Sequence, residues 1–507
     1  MHASSHVDAG VDPDAGRIAN VHPPDWVQPT PAGRYNLVVL GAGTAGLVTA
    51  AGAAGVGARV ALVERHWMGG DCLNVGCVPS KALLASAHAA ARVREAGALG
   101  VRVGGEPRVD FAAVMERMRA IRHRISPADS AHRFRELGVD VYFGEARFAD
   151  DRHVDVGGVR LPFARAVVAT GARPVVPAIP GLADAGFLTN ETVFELRALP
   201  ERLLVLGGGP IGCELAQAFA RFGARVTLVE MADRFLARED ADAASVLRAA
   251  LERDGVDLRL GTSLGRVELV DGGPAKRAHL GGPRGTSTLD VDAILVGVGR
   301  APNVEGLGLE AVGVATGPQG IAVDDRLRTT NRRIFACGDV CMAQKFTHAA
   351  DFAARTVVQN ALFFGRAKLS ALRVPRCTYT DPEIAHVGLT DAEARERGIE
   401  VDTYAIDFAD VDRSIAEGTE AGFVKIHTER GRDRIVGATI ANRHAGEMIG
   451  EIAVAMAAGT GLGALARVIH PYPTQAEAIR RLGDAYNRTR LTPTVKRVFD
   501  ALLRARR

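Results

Sequence analysis

Two stretches of the chain share one pattern: a short continuous apolar run, a glycine-rich turn, a longer run of small and apolar residues, then a second apolar run that closes on an acid. They are LVVLGAGTAGLVTAAGAAGVGARVALVE (residues 37–64) and LLVLGGGPIGCELAQAFARFGARVTLVE (203–230), and they align without a gap. Short apolar runs bounded by glycine predict buried parallel strands, and the stretch between them predicts the crossover helix of a βαβ unit. A repeat of this kind predicts two such units and two sites. The low-charge run from Asn36 to Val63 has the length of a membrane span. Its glycines and β-branched ends divide it into strand, turn and helix instead, so no membrane partner is expected.

The turn of each copy reads G-x-G-x-x-G, with Gly41, Gly43 and Gly46 in the first and Gly207, Gly209 and Gly212 in the second. Glycines at this spacing let the backbone turn tightly and approach a pyrophosphate, which then rests on the positive N-terminal end of the helix. Glu64 and Glu230 each fall 23 residues after the first glycine of their copy. A carboxylate at the end of the second strand can bond a ribose hydroxyl pair. One such motif also serves ordinary tight turns, but two copies with strand, helix and acid in register point to two bound dinucleotides. The first copy runs directly into a loop with paired cysteines, which needs an electron donor beside it. A flavin in the first site and a nicotinamide in the second would form a relay.

The loop is GGDCLNVGCVPSK, residues 69–81, with Cys72 and Cys77 five positions apart and Lys81 four after the second. Six cysteines in 507 residues are too few for a disulfide-stapled secreted scaffold. A structural zinc site would want four thiolate or imidazole ligands, usually in paired short spacings, and the sequence has no CxxC motif. A pair that closes and opens as it exchanges electrons remains the live alternative. The length implies two to four domains, and 62 Lys and Arg against 59 Asp and Glu, a net charge of +3, give no sign of a nucleic-acid surface. Residues 1–33, rich in Asp, Pro, Ala and Gly, lack an apolar core of signal-peptide length. They read as a disordered extension, and a cytoplasmic location is expected.

At this point the residues resemble the pyridine nucleotide-disulfide oxidoreductases, flavoproteins that include lipoamide dehydrogenase, glutathione reductase and mercuric reductase. The resemblance spans about residues 34–490 and rests on GAGTAG, GGDCLNVGCVPSK, ATGARP (169–174), GGGPIGCE (207–214), GVGRAPN (297–303), ACGDV (336–340), YTDPEIAHVGLT (379–390) and HPYPTQAE (470–477). It implies an α/β fold with two Rossmann-type domains and a C-terminal α+β dimerisation domain. The FAD-binding domain would comprise residues 34–178 and 303–372, the NAD(P)H-binding domain 179–302 and the interface domain 373–490 of a homodimer, followed by a basic tail at 491–507. Thr170, Gly171 and Gly299 fall in the motifs that line the cofactors, and Asp339 would bond the ribityl chain. The resemblance further implies that Cys72 is the interchange thiol that meets substrate and Cys77 the thiol against the flavin. Lys81 would lie near the flavin edge, paired with a glutamate matching Glu214. A cysteine entering a helix near a lysine has its thiolate favoured by the helix dipole and the positive charge. Cys213 and Cys337 read as buried small residues, and Cys341 and Cys377 as structural.

Glu230 favours NADH, since it bonds a free 2′-hydroxyl and repels a 2′-phosphate; Arg234 leaves NADPH open. Mercuric reductases generally take NADPH, so Glu230 departs from that group. The substrate end departs from the disulfide reductases. In lipoamide dehydrogenase and glutathione reductase a histidine precedes a Pro-Thr pair, and a glutamate follows; both come from the partner subunit. Here Tyr472 holds the place of the histidine, Glu477 that of the glutamate, and His470 comes two residues early. A phenol of pKa near 10 relays a proton poorly at neutral pH, whereas an imidazole near 6.5 does it readily. Mercuric reductases carry a tyrosine in a similar Pro-Tyr-x-Thr setting, and there Cys72 and Cys77 would serve as transient ligands of Hg(II), a soft cation. Against mercury, the last cysteine is Cys377 and no cysteine precedes Cys72. The resemblance is nonetheless closest to mercuric reductase-like members, and the expected reaction is electron transfer from NAD(P)H through FAD and the Cys72–Cys77 redox disulfide to a small oxidant, most like the reduction of Hg(II) to Hg(0). The alternatives are lipoamide dehydrogenase or another disulfide or quinone reductase, and, more remotely, a metal-sequestering flavoprotein with little turnover.

Overall fold

The computed structural model describes residues 12–31, 33–105, 108–270, 273–283 and 285–507. The chain divides into two compact units, one of residues 1–208, 218–229 and 262–372, the other of 209–217, 230–261 and 373–507.

The first unit opens with a helix, α1 (Pro13–Val21), where a disordered extension was expected. Asp12 caps it by accepting from the Asp14 amide at 3.1 Å, and Pro13 supplies a pre-set first residue. Arg17 and Val21 are buried. Beyond α1 the chain follows the edge of a sheet: Gln28 exchanges two hydrogen bonds with the backbone of Phe143, and Trp26 donates to the Val141 carbonyl at 3.0 Å. Composition misleads here because the anchoring side chains are an arginine, a tryptophan and a glutamine, not an apolar stripe. Residues 1–11, the rest of that expected extension apart from Ala32 and Gly33, lie outside the described residues.

The first repeat folds as its pattern predicts, with β1 (Tyr35–Leu40), α2 (Thr44–Gly55) and β2 (Val60–Glu64). Strands β1 and β2 run parallel with Leu37 opposite Val60. Next come α3 (Gly70–Asn74), α4 (Cys77–Glu95) and α5 (Phe111–Ile125), then β3 (Val139–Phe143), which pairs parallel with β2. A hairpin of β4 (Ala146–Asp150) and β5 (His153–Val156) leads into β6 (Val159–Val168), which returns parallel to β1. The strand Ile334–Ala336 joins β6 from 166 residues further on, returning the chain to this sheet. Every residue of the runs 37–40 and 60–63 is buried, as a sheet covered on both faces requires.

The second repeat builds three parallel strands, Arg202–Leu206, Arg225–Val229 and Ala293–Val296. Their core of Leu204, Leu206, Val229, Ile294 and Val296 continues into an antiparallel sheet over 263–291. In the second unit five antiparallel strands run in the spatial order Arg376–Thr378, Glu383–Gly388, Ile435–Asn442, Phe423–Glu429, Val401–Asp407. They share a core with the helices Ala445–Ala458 and Glu477–Thr489. The C-terminal segment forms a helix, Pro493–Ala505, none of whose residues is buried. Among the described residues no helix is long and apolar enough to cross a membrane.

Candidate nucleotide cradle and dithiol site

The turn after β1 is shaped by what its glycines exclude. Gly41 has φ +99°, and a Cβ there would lie 2.5 Å from the Ala169 carbonyl oxygen. A Cβ on Gly46 would lie 1.8 Å from the Gly41 carbonyl oxygen, so only glycine lets α2 start this close to the turn. Gly43, extended at the helix start, makes no side-chain cap, and its nearest neighbour would be Gly70 Cα at 3.8 Å. The first-turn amides of α2 thus have glycine backbone, not side chain, before them. Glu64 closes β2, accepting from the Ala42 amide at 2.7 Å and the His66 amide at 2.8 Å. Burial pushes its carboxyl up from the ordinary range, against the pull of those amides. Each oxygen keeps a further lone pair for a hydroxyl. These features fit a dinucleotide with its pyrophosphate over α2 and a ribose at Glu64.

The dithiol lies against this turn. A Cβ on Gly70 would come within 2.7 Å of Gly43 Cα, so the cysteine segment and the phosphate turn meet backbone to backbone. Cys72 sits inside α3 and Cys77 is the first residue of α4, after an uncapped Gly76. Both are thiols, Cys72 half-buried and Cys77 exposed. Hydrogen bonding with Cys77, followed by burial, raises the Cys72 thiol. Cys77 has the positive end of α4 behind it, Thr347 Oγ1 at 3.4 Å, and Lys81 one turn along the helix.

Three charged groups beside the pair escaped the sequence reading. Arg300 donates to the Asp71 carboxylate and to the Ala172 carbonyl, and its Nε lies 3.7 Å from Asp339. Lys345 donates to the Asp339 carbonyl at 2.7 Å. Burial pushes the Asp339 carboxyl up, with Arg300 and Lys345 opposing. Arg300 stands in GVGRAPN, but 229 residues separate it from Asp71, and no local pattern announces such a pair. Thr170 Oγ1 donates to the Asn303 carbonyl at 2.7 Å, and Asn303 Nδ2 returns a bond to the Thr170 carbonyl at 2.9 Å, beside Gly171 at φ +69°.

The second glycine turn repeats the first: Gly207 has φ +102°, and its Cβ would lie 2.5 Å from the Gly297 carbonyl oxygen. A Cβ on Gly209 would meet nothing within 4 Å, Gly212 lies on the helix Pro210–Phe222, and Gly299 has φ +132°. Glu230 accepts from the Ala232 amide at 2.9 Å, while the Arg234 guanidinium is bound to the Ala237 carbonyl at 2.6 Å. Glu214 is buried, which rules out a merely solvated role, and accepts from the Tyr379 amide at 2.9 Å.

Each of the three C-terminal candidates has its own hydrogen-bond partners within one chain. His470 places Nδ1 3.1 Å from the Val468 carbonyl and Nε2 3.0 Å from Glu451, so both ring nitrogens face acceptors. Tyr472 is 71 % exposed and donates to Asp412 at 2.7 Å. That bond raises its phenol. Glu477 starts the helix Glu477–Thr489, paired with Arg480 at 2.8 Å.

Two nucleotide turns and a dithiol packed on the first define a nucleotide-linked thiol oxidoreductase. Residues 35–358 match the pyridine nucleotide-disulphide oxidoreductase family and residues 374–482 its dimerisation domain. The chain belongs to this family and is an FAD-dependent oxidoreductase, with a domain that supports homodimer formation. It is 36 % identical over 452 residues to a mercuric reductase of Streptomyces lividans, covering 88 % of this chain and 95 % of that one. A dihydrolipoyl dehydrogenase of Bacillus subtilis is 32 % identical over 466 residues, with 88 % and 97 % covered. Among solved structures, the HOCl-induced flavoprotein disulfide reductase RclA from Escherichia coli superposes with a TM-score of 0.79 at 30 % identity, covering 89 % of this chain and 99 % of that one. Its Cu(II) complex superposes with a TM-score of 0.80 at 29 % identity.

Proposed function

We propose that the protein passes electrons from NADH through FAD and the Cys72–Cys77 pair to a thiophilic metal ion, Hg(II) or Cu(II), in preference to a disulfide. The observation that carries this reading is the absence of an available imidazole at the substrate end. The place of a base holds Tyr472, whose hydroxyl is committed to Asp412, and both His470 nitrogens are occupied. Exchange with a dithiol substrate needs a base to take the thiol proton. A soft cation needs none, since it binds thiolate directly. The relatives' names support the same direction, mercuric reductase for one and a Cu(II) complex for another.

The bound flavin supplies hydride acceptance and two-electron transfer to the disulfide. The chain's own residues do the rest. Gly41, Gly43, Gly46, Glu64, Thr170, Gly171 and Asp339 hold the flavin nucleotide; Gly207, Gly209, Gly212, Glu230 and Gly299 hold the nicotinamide nucleotide. Lys81 and Glu214 serve the reactive edge. When the disulfide opens, the α4 terminus favours the negative charge on Cys77, and Cys72 gives up its proton to solvent as the soft cation binds its sulfur. Cys72 then delivers the pair to substrate. Glu230 selects NADH, because Arg234 is held by the Ala237 carbonyl and does not offset the repulsion of a 2′-phosphate.

The test is oxidation of NADH and NADPH by the purified yellow protein with thiol-complexed Hg(II), Cu(II) and lipoamide under identical conditions. Rapid turnover with a metal ion and little with lipoamide is expected. Fast lipoamide reduction would favour the second reading, a dihydrolipoyl dehydrogenase, for which the 32 % identity to that enzyme speaks.

A further inference from the structure

Helix α1 lies outside the family match, which begins at residue 35. Its buried polar side chain, Arg17, is 3 % exposed. Arg17 Nη1 donates to Asn74 Oδ1 at 2.6 Å, and its guanidinium carbon stands 4.6 Å from the centre of the Trp67 ring. Asn74 ends α3, two residues after Cys72 and three before Cys77. Its side-chain amide donates to the Met68 carbonyl at 3.0 Å and the Gly70 carbonyl at 2.9 Å. Its own carbonyl accepts from Arg122 at 2.9 Å, and Arg122 reaches back to Asp14 of α1 at 2.9 Å. The Met68 amide donates to Val21, the last residue of α1, at 3.0 Å. One asparagine between the two cysteines is thus fixed on three sides, and two of those ties lead to α1.

Covering an apolar surface would call for leucine or valine. Burying a guanidinium is costly unless it is paired, and three arginines, Arg17, Arg119 and Arg122, are buried here around Asp14 and Glu195. Burial lowers the Arg17 pKa, with Asp14 and Glu195 opposing. What the guanidinium gains is direction, a planar donor stacked on one ring and aimed at one oxygen.

We propose that Arg17 is a positioning residue for the redox pair: by fixing Asn74 it sets the backbone path from Cys72 to Cys77, and with it the balance between dithiol and disulfide. The inference rests on the redox reading of that pair. Losing Arg17 frees the segment between the two cysteines that Asn74 anchors, so it changes the balance between dithiol and disulfide.

The test uses FAD-loaded protein equilibrated in glutathione buffers of graded potential, with Cys72 and Cys77 trapped by alkylation and quantified by mass spectrometry. Arg17→Gln is expected to shift the equilibrium about tenfold, about 30 mV for a two-electron couple. Arg17→Lys, which keeps a cation over Trp67 and one donor for Asn74, is expected to recover most of the shift. An Arg17→Gln shift below about threefold overturns the proposal. If Arg17→Gln fails to fold, Asn74→Ser replaces it, leaving α1 in place and cutting the bonds to Met68 and Gly70; an unshifted equilibrium there is equally fatal. If the parent protein never interconverts Cys72 and Cys77 in these buffers, the redox reading itself fails and takes this inference with it. A parent that titrates normally beside an unshifted Arg17→Gln refutes the role of Arg17 alone.

Discussion

At the scale of single residues, the two cysteines share a sequence motif but not an environment. Cys77 begins a helix and is exposed, whereas Cys72 is half-buried and its thiol is held up by hydrogen bonding to Cys77. Replacing either by serine should lower NADH-driven substrate turnover at least about a hundredfold, because the two act as a unit. Only Cys77→Ser should also abolish the long-wavelength thiolate absorbance of the reduced flavoprotein; if Cys72→Ser removes it instead, the roles are reversed. Glu230 offers a separate test. Glu230→Ala should raise kcat/KM with NADPH about tenfold or more and leave that with NADH within a few-fold, because a repulsion is removed and one ribose hydrogen bond is lost. Equal losses with both nucleotides would show that Glu230 only supports its own turn through Ala232. Residues of this kind are legible because their motifs are contiguous. Arg300 is not, since its partners Asp71, Ala172 and Asp339 arrive from three other segments.

At the scale of elements, both βαβ units follow from the hydrophobic pattern, down to the burial of the apolar strand residues. Helix α1 does not, because its docking rests on Arg17 and Asp14, charged residues that composition reads as solvent-loving. The five-stranded sheet holds another polar element of this kind. His386 lies directly opposite Thr439 across the strands Glu383–Gly388 and Ile435–Asn442 and is fully buried. Its Nε2 lies 3.1 Å from the Gly388 carbonyl and its Nδ1 2.9 Å from the Thr439 hydroxyl. The neutral ring satisfies both, with Nε2–H donating to the carbonyl and Nδ1 accepting from the hydroxyl. Burial lowers the His386 pKa to about 4 from 6.5. The unfolded chain therefore binds the proton more readily, and the stabilisation from keeping this ring neutral is complete above pH 6.5 and lost as pH falls toward 4. The shift corresponds to roughly 3 kcal/mol between those limits. Denaturant unfolding of the second unit at pH 7 and pH 4.5 should show a steeper loss in the parent than in His386→Gln. Parallel losses would mean that other groups carry the acid sensitivity.

At the scale of the whole molecule, the question is what completes the substrate end, since His470, Tyr472 and Glu477 have separate partners within one chain. The region around them is unusually apolar for a surface: Ile469 is 94 % exposed and Val454 68 %, within the residues that match the dimerisation domain. Isolated apolar residues on a surface need no explanation, but a nearly bare isoleucine next to the half-buried His470–Glu451 pair and the Tyr472 loop is suited to a two-fold interface. There each substitution acts twice. Burying an isoleucine contributes about 2 kcal/mol, so removing two loses about 4, and an unpaired aspartate in its place adds the cost of a buried charge. Ile469→Asp should therefore be monomeric by light scattering at concentrations where the parent is dimeric. The first glycine turn, Glu64, Asp339 and the dithiol all lie in residues 1–208 and 262–372, so the variant should keep its flavin and still form the Cys72–Cys77 disulfide. On the proposed function, turnover with thiol-complexed Hg(II) should fall tenfold or more, since the family resemblance implies that Tyr472 and Glu477 serve the dithiol of the other subunit. A monomer with full turnover would place the whole substrate site in one chain, and the missing imidazole would then bear on the chemistry far less than its position suggests.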